Sequence, residues 1–191
     1  MRKLIVTTFV SLDGVMEAPG GEPGYAHSGW VLDAFTDEFG AYKVEEQLAA
    51  DVLLLGRVTY ESFVEAWPGR DGPLADKING MRKVVVSSTL GSSDWHDTTV
   101  VGEDVAGAIA ALKAEDGAPI LAVGSRTLVQ WLLRVDLVDE VHLQVFPVVL
   151  GSGDRLWPAS PEKRPFELVS SRTIGNGVQV QVLRPAGRDR D

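Results

Sequence analysis

"LAVGSRTLVQWLL", residues 121–133, runs from an apolar stretch through Gly124 and Ser125 into a segment whose Leu128, Trp131, Leu132 and Val135 line one helical face. Strand, glycine turn and amphipathic helix, in that order, are the building unit of a parallel α/β sheet. The turn itself has two readings. Glycine after a strand relieves a tight turn and a hydroxyl residue caps the next helix; the same arrangement also lets backbone N–H groups approach a phosphate.

Working outward, the unit recurs. Residues 3–10 (KLIVTTFV) are a β-branched apolar run that predicts a first strand, followed by a Gly/Pro-rich loop from Ala18 to Gly24. Phe35, Phe39, Tyr42, Val44 and Leu48 give helical spacing over residues 34–50, with Thr36 as the candidate N-cap. Val52 to Leu55 is a short buried strand ending at Gly56, followed by a helix from about Thr59 to Ala66, a Pro/Gly-rich loop, and a strand from Lys83 to Ser87. A short strand is expected within residues 94–101, a helix around Val105, Ala108, Ile109 and Leu112, and a strand from Pro119 to Val123. The pattern then changes. Val138 to Val149 is a long β-rich run, and Phe166 to Ile174 with Val178 to Leu183 flank Gly175-Asn176-Gly177, a hairpin signal. The expected fold is therefore α/β: three αβα layers on a mixed, mostly parallel sheet with antiparallel C-terminal strands. Residues 1–185 read as a single domain and residues 186–191 as a flexible polar tail.

Composition narrows the function. The chain has 191 residues, 45% of them hydrophobic, and a formal net charge of -9. That charge speaks against nucleic acid or an anionic membrane as partner, since both are bound by clustered Lys and Arg. A small-molecule substrate is expected instead. With no cysteine, and with His27, His96 and His142 far apart, neither thiol chemistry nor a metal site is expected. No apolar run is long enough to span a membrane, and the N-terminus reads as a strand without a cleavable leader, so a cytoplasmic location is expected.

Ligands of open α/β sheets gather at the carboxyl ends of the strands. Three such ends carry suitable residues: Gly56, Arg57 and Thr59; Ser87, Ser88 and Thr89; and Gly124, Ser125, Arg126 and Thr127. Each alone is also an ordinary turn and cap, with Thr59 placed to cap its helix. Their recurrence at successive strand ends favours a ligand. No G-x-G-x-x-G follows the first strand, no acid follows the second to hold a ribose hydroxyl, and no P-loop occurs. Arg57 with Ser87 and Ser88 suits a 2′-phosphate, which points to NADPH rather than NADH.

These pieces carry a resemblance. "TTFVSLDGVMEA" (7–18), "LLLGRVTYESF" (53–63), "KVVVSSTL" (83–90), "ILAVGSRTLVQWLL" (120–133) and "VDEVHLQVFPVVLGSGDRLW" (138–157) resemble, in order, the dihydrofolate reductase-like superfamily. Within it they resemble the group of the C-terminal reductase domain of the bifunctional riboflavin-biosynthesis deaminase-reductase. The resemblance implies NADPH-dependent hydride transfer to a riboflavin-pathway ribosylaminopyrimidine-like or pterin-like heterocycle, and a homodimer. It implies that Gly56, Arg57 and Thr59 hold cofactor phosphates, Ser87 and Ser88 meet the 2′-phosphate, and Gly124, Ser125, Arg126, Thr127 and Leu128 wrap the pyrophosphate. Ser11, Asp13 and Gly14 of the "SLDG" turn would border nicotinamide and substrate, with Trp30 and Pro147 on the substrate side and Trp67 and Trp157 as further aromatic candidates. Asp13 either orients the substrate, acts in proton transfer, or is a turn residue bonding its own backbone. The zinc signature of the deaminase partner is absent, so a stand-alone reductase is implied. Measured from Trp30 to Phe39, the acid that grips the pterin in dihydrofolate reductases falls near Phe35, not at Asp33 or Asp37. Two alternatives therefore stay open: a non-catalytic NADPH-binding module, or a dihydrofolate reductase using Asp33 or Asp37.

Overall fold

The continuous apolar runs become strands covered on both sides, and their alternation sorts the core into two faces. The computed structural model describes residues 1–157, 159 and 163–187. In chain order the elements are β1 (Leu4–Val10), α1 (Asp37–Leu48), β2 (Val52–Gly56), α2 (Arg57–Ala66), α3 (Pro73–Gly80) and β3 (Arg82–Val86). They continue with β4 (Thr98–Val101), α4 (Val105–Ala114), β5 (Ile120–Val123), α5 (Arg126–Arg134), β6 (Glu140–Val145), β7 (Phe166–Ile174) and β8 (Val178–Pro185). One sheet takes them in the order β4-β3-β2-β5-β1-β6-β8-β7. All neighbours pair in parallel as far as β6; β8 then pairs antiparallel with both β6 and β7.

Along β2, Val52 and Leu54 join a core with Ile109 and Leu112 of α4 and Leu128, Val129 and Leu132 of α5. Leu53 and Leu55 face the other way, onto Tyr60 of α2 and Ile78 of α3. On that second side Phe39 of α1 packs with Phe146, Trp30, Ile174 and Val178. Helices α4 and α5 thus cover one face and α1, α2 and α3 the other.

Local chemistry explains most boundaries. Thr36 caps α1, its Oγ1 accepting from the Phe39 N–H at 3.3 Å, and Asp37 and Glu38 in the first turn suit the helix dipole. The hairpin turns at residues 175–177, as its Gly-Asn-Gly sequence predicts. Two expectations need correction. The loop after α2 contains α3, started by Pro73 at its first turn and seated by the buried Ala75 and Ile78. The β-rich run from Val138 is strand only to Val145, since Pro147 has no N–H to give a ladder. Of the expected tail, Ala186 and Gly187 follow β8, and residues 188–191 lie outside the described residues.

Candidate functional site

β2 and β5 are neighbours, yet the helices that follow them leave to opposite faces of the sheet. Their carboxyl ends are therefore the topological switch point of the sheet, whose crevice is the position where open α/β sheets bind ligands. Gly124 and Ser125 both adopt left-handed backbone, with φ of 52° and 54°. For Ser125 this costs about 1 kcal/mol, and the turn is held by three hydrogen bonds. The Gly124 N–H donates to the Thr7 carbonyl at 3.1 Å, the Gly56 N–H donates to Ser125 Oγ at 2.9 Å, and the Ser125 N–H donates to Thr59 Oγ1 at 3.1 Å. The two turns are thereby laced together.

This lacing has a consequence for the helix ends. Gly56, the N-cap of α2, has no side chain, and Ser125, the N-cap of α5, spends its hydroxyl on Gly56, so neither helix receives a side-chain cap. The first-turn N–H groups of Arg57, Val58 and Thr59, and of Arg126, Thr127 and Leu128, have no intrahelical partner. Both helices begin with arginine and carry no acid in the first turn, the reverse of α1 and of what the helix dipole favours. Cations and free N–H groups gathered at one crevice suit an anion.

The expected cofactor residues divide accordingly. Gly56 and Gly124 lie in the two laced turns, where a side chain on Gly56 would be in ordinary contact with Ser125 Cβ at 3.5 Å. Thr59 does not cap α2, which starts two residues earlier, because its hydroxyl is turned to Ser125. Arg57 is exposed and lies 2.7 Å from Glu61, and Arg126 pairs with Asp154. Thr127 is exposed, whereas the Leu128 side chain is core and only its N–H faces outward. Ser87 is buried and closes the turn after β3, its Oγ accepting from the Thr89 and Leu90 N–H groups at 3.2 and 3.0 Å. Ser88 beside it is exposed.

On the substrate side, Ser11 Oγ donates to Asp13 at 2.7 Å, and the Leu150 and Gly151 N–H groups donate to the same carboxylate at 3.1 and 2.9 Å. The hydrogen bond from Ser11, reinforced by those from Leu150 and Gly151, lowers the Asp13 pKa to about 2. Its carboxylate thus ties its own turn, through the Ser11 hydroxyl, to the loop after β6. Ionised through the neutral range, the carboxylate latches the turn to that loop. Gly14 takes φ of 81° between Ser11 and Leu156. Trp30 is buried, its Nε1 donating to the Glu17 carbonyl at 2.8 Å and its ring edge-on to Phe146. Pro147 is exposed beside Gly177 of the hairpin. Trp67 packs on Phe63 at the far end of α2 and Trp157 on Phe166. Leu12, Phe35 and Val149 are exposed apolar side chains on the turns at this end of the sheet, and Val58 is exposed in the first turn of α2.

Sequence reasoning missed a polar network under α1. Glu46 is buried, accepts from Thr7 Oγ1 at 2.8 Å and Tyr42 OH at 3.0 Å, ion-pairs with Lys43, and lies 2.8 Å from His142 Nδ1. Burial pushes its pKa up, but the Lys43 charge and the hydrogen bonds from His142 and Lys43 outweigh it and hold the group at about 2. Burial and the Glu46 charge push the Tyr42 hydroxyl well up. The available signal was Lys43 and Glu46 at i, i+3 beside Phe39 on the inward side of the helix. Asp33 and Asp37, by contrast, are exposed. Among the described residues no three His, Cys, Asp or Glu side chains come together as metal ligands, and no helix is long and apolar enough to cross a membrane.

Comparison with known proteins agrees with this architecture. The family model of the RibD C-terminal domain matches residues 2–180. The uncharacterized protein YwjB of Bacillus subtilis (strain 168) is 30% identical over 183 residues, 96% of this chain and 98% of its own. The uncharacterized protein YyaP of the same organism is 26% identical over 190 residues, 95% and 94% of the two chains. The crystal structure of a "Putative riboflavin biosynthesis protein" from Shewanella sp. PV-4 superposes with a TM-score of 0.74 at 21% identity, covering 97% of this chain and 99% of that one.

Proposed function

The chain belongs to the RibD C-terminal domain family, a reductase-like domain, and we propose that it is an NADPH-dependent reductase that passes a hydride to a small heterocyclic substrate. One observation carries this reading: two uncapped helix N-termini, each opened by an arginine, meet at the crevice between β2 and β5. The residues fit a pyrophosphate, because glycines line the approach and six N–H donors with the Arg126 guanidinium are offered to it.

Bound there, the reduced nicotinamide would supply a hydride to an electrophilic ring carbon of the substrate. Gly56 and Gly124 would admit the phosphates, Arg57 with Ser88 would meet the 2′-phosphate, and Arg126 with the α5 N–H groups would hold the pyrophosphate. Asp13, Ser11 and Gly14 would fix the turn beside the reacting rings, and Leu12, Phe35 and Val149 would offer an apolar rim to a flat heterocycle. Holding two rings in register and excluding water is the protein's main share in hydride transfer. A ribosylaminopyrimidine-like or pterin-like ring fits such a rim. The exposed β7 edge supports a homodimer, and we assign the enzyme to the cytoplasm.

Titration of the folded protein with NADPH, followed by thermal shift and quenching of nicotinamide fluorescence, tests the cofactor. Binding tighter than for NADH is expected, and Arg57→Ala should weaken NADPH much more than NADH. No binding of either cofactor would overturn the reading, and equal weakening of both would remove Arg57 from the 2′-phosphate. Loss of NADPH absorbance with dihydrofolate or a ribosylaminopyrimidine then separates a reductase from a binding module.

A further inference from the structure

Both arginines at the crevice are already held by carboxylates. Arg57 lies 2.7 Å from Glu61 on its own helix, and Arg126 lies 2.5 Å from Asp154. The side chains of both pairs are about half exposed, at 46% and 51% for the first and 39% and 50% for the second. Exposed pairs of this kind are weak, and guanidinium groups bind phosphate oxygens at least as well. A phosphate group can therefore exchange for either carboxylate.

The two pairs differ in what they are attached to. Glu61 belongs to α2, but Asp154 belongs to segment 150–156, which is stitched to the "SLDG" turn along its length. The Met16 N–H donates to the Asp154 carbonyl and the Asp154 N–H to Glu17, both within 2.9 Å. Arg155 donates to the Asp13 carbonyl at 2.6 Å, and the Leu156 N–H to the Gly14 carbonyl at 3.0 Å. Across segments 11–17 and 150–156 the charges are Asp13, Glu17 and Asp154 against Arg155, with Arg126 as the second cation. Withdrawing Arg126 leaves three carboxylates facing one arginine, with Asp154 unpaired beside Glu17.

Resting on the cofactor reading above, we propose that Asp154 is a displaceable stand-in anion. It occupies Arg126 until a pyrophosphate reaches the α5 N-terminus, and its release loosens segments 11–17 and 150–156, so that filling of the cofactor site is felt on the substrate side. Like charge makes the two occupants exclusive: the carboxylate cannot stay against a guanidinium that a dianion has taken without repulsion.

The test combines affinity with hydrogen exchange on the full chain. Asp154→Asn should bind inorganic pyrophosphate about two- to fivefold more tightly than wild type, and Glu61→Gln, whose Arg57 would meet the 2′-phosphate, about as wild type does. Saturating NADPH should speed exchange in wild type at the Met16, Leu150, Gly151 and Asp154 amides. Asp154→Asn, which has no charge for the ligand to expel, should exchange at those amides as slowly as ligand-free wild type and show no response to NADPH, while Glu61→Gln keeps the response to ligand. Unchanged or weaker pyrophosphate binding by Asp154→Asn would overturn the proposal, as would unchanged or slower exchange in wild type holding NADPH. The wild-type measurement needs no variant. If NADPH binds and the segments do not respond, only the stand-in role falls; if NADPH does not bind at all, the cofactor reading falls and takes this role with it.

Discussion

Glu46 is the carboxylate on which the inward side of α1 depends, because it pairs with the buried Lys43 ammonium while accepting from Thr7 and Tyr42. Glu46→Gln keeps the shape but leaves that cation uncompensated, and breaking a buried pair in this way costs about 3 kcal/mol. Urea unfolding at neutral pH should show the loss as a lower midpoint with an unchanged slope. The acid limb gives a second check. The Glu46 pKa is lowered on folding, to about 2, so its contribution is fully present above the ordinary carboxylate pKa and disappears as pH falls towards 2. Wild type should therefore lose stability between about pH 4.5 and 2, and the Gln variant should lose less over that window. An acid limb identical in both proteins would show that Glu46 is not held by Lys43 and His142.

At the scale of elements, the lacing of the β2 and β5 turns sets the shape of the crevice. Thr59→Val retains the volume and removes the acceptor of the Ser125 N–H, so a left-handed residue loses one of the bonds that hold it. A loss of about 1–3 kcal/mol is expected, together with weaker NADPH binding; full affinity in a destabilised variant would mean that the crevice does not need the lacing. Much of this arrangement was legible in the sequence. Continuous β-branched runs ending in glycine announced the parallel strands, and Thr36 before two acids announced the start of α1. The hidden parts have physical reasons. Helix α3 reads as a loop because Pro73, Asn79 and Gly80 are loop residues, and only its packing through Ala75 and Ile78 makes it helical. Thr59 reads as a cap because a sequence shows its neighbours and not Ser125, which is 66 residues away. Lys43 and Glu46 give no sign of burial in the sequence, because charged residues normally face solvent and only their pairing allows burial. Ser87, one of three hydroxyls in a row, turned inward because the turn after β3 needed an acceptor for two N–H groups.

The molecule as a whole ends, on one side, in the exposed strand β7. Its residues from Glu167 to Thr173 are exposed, including Leu168 at 60% and Val169 at 49%, and a register shift separates Leu168 from Ser170. A long edge with open N–H and C=O groups and apolar side chains invites pairing with another strand, and soluble proteins keep such edges short, charged or covered. β7 is nine residues long, and Leu168 and Val169 lie side by side near its start. A second copy is the cover we propose, since a two-fold arrangement lets the same edge meet itself and leaves no open end to propagate. Light scattering at micromolar concentration should give twice the chain mass. Replacing Leu168 and Val169 together by lysine should reduce it to one chain with unchanged circular dichroism, because like charges would meet across the two-fold axis while the buried face of the hairpin, with Val178 and Val180, stays intact. A monomeric wild type would exclude this cover. A dimer that survived the double lysine variant would move the interface away from β7.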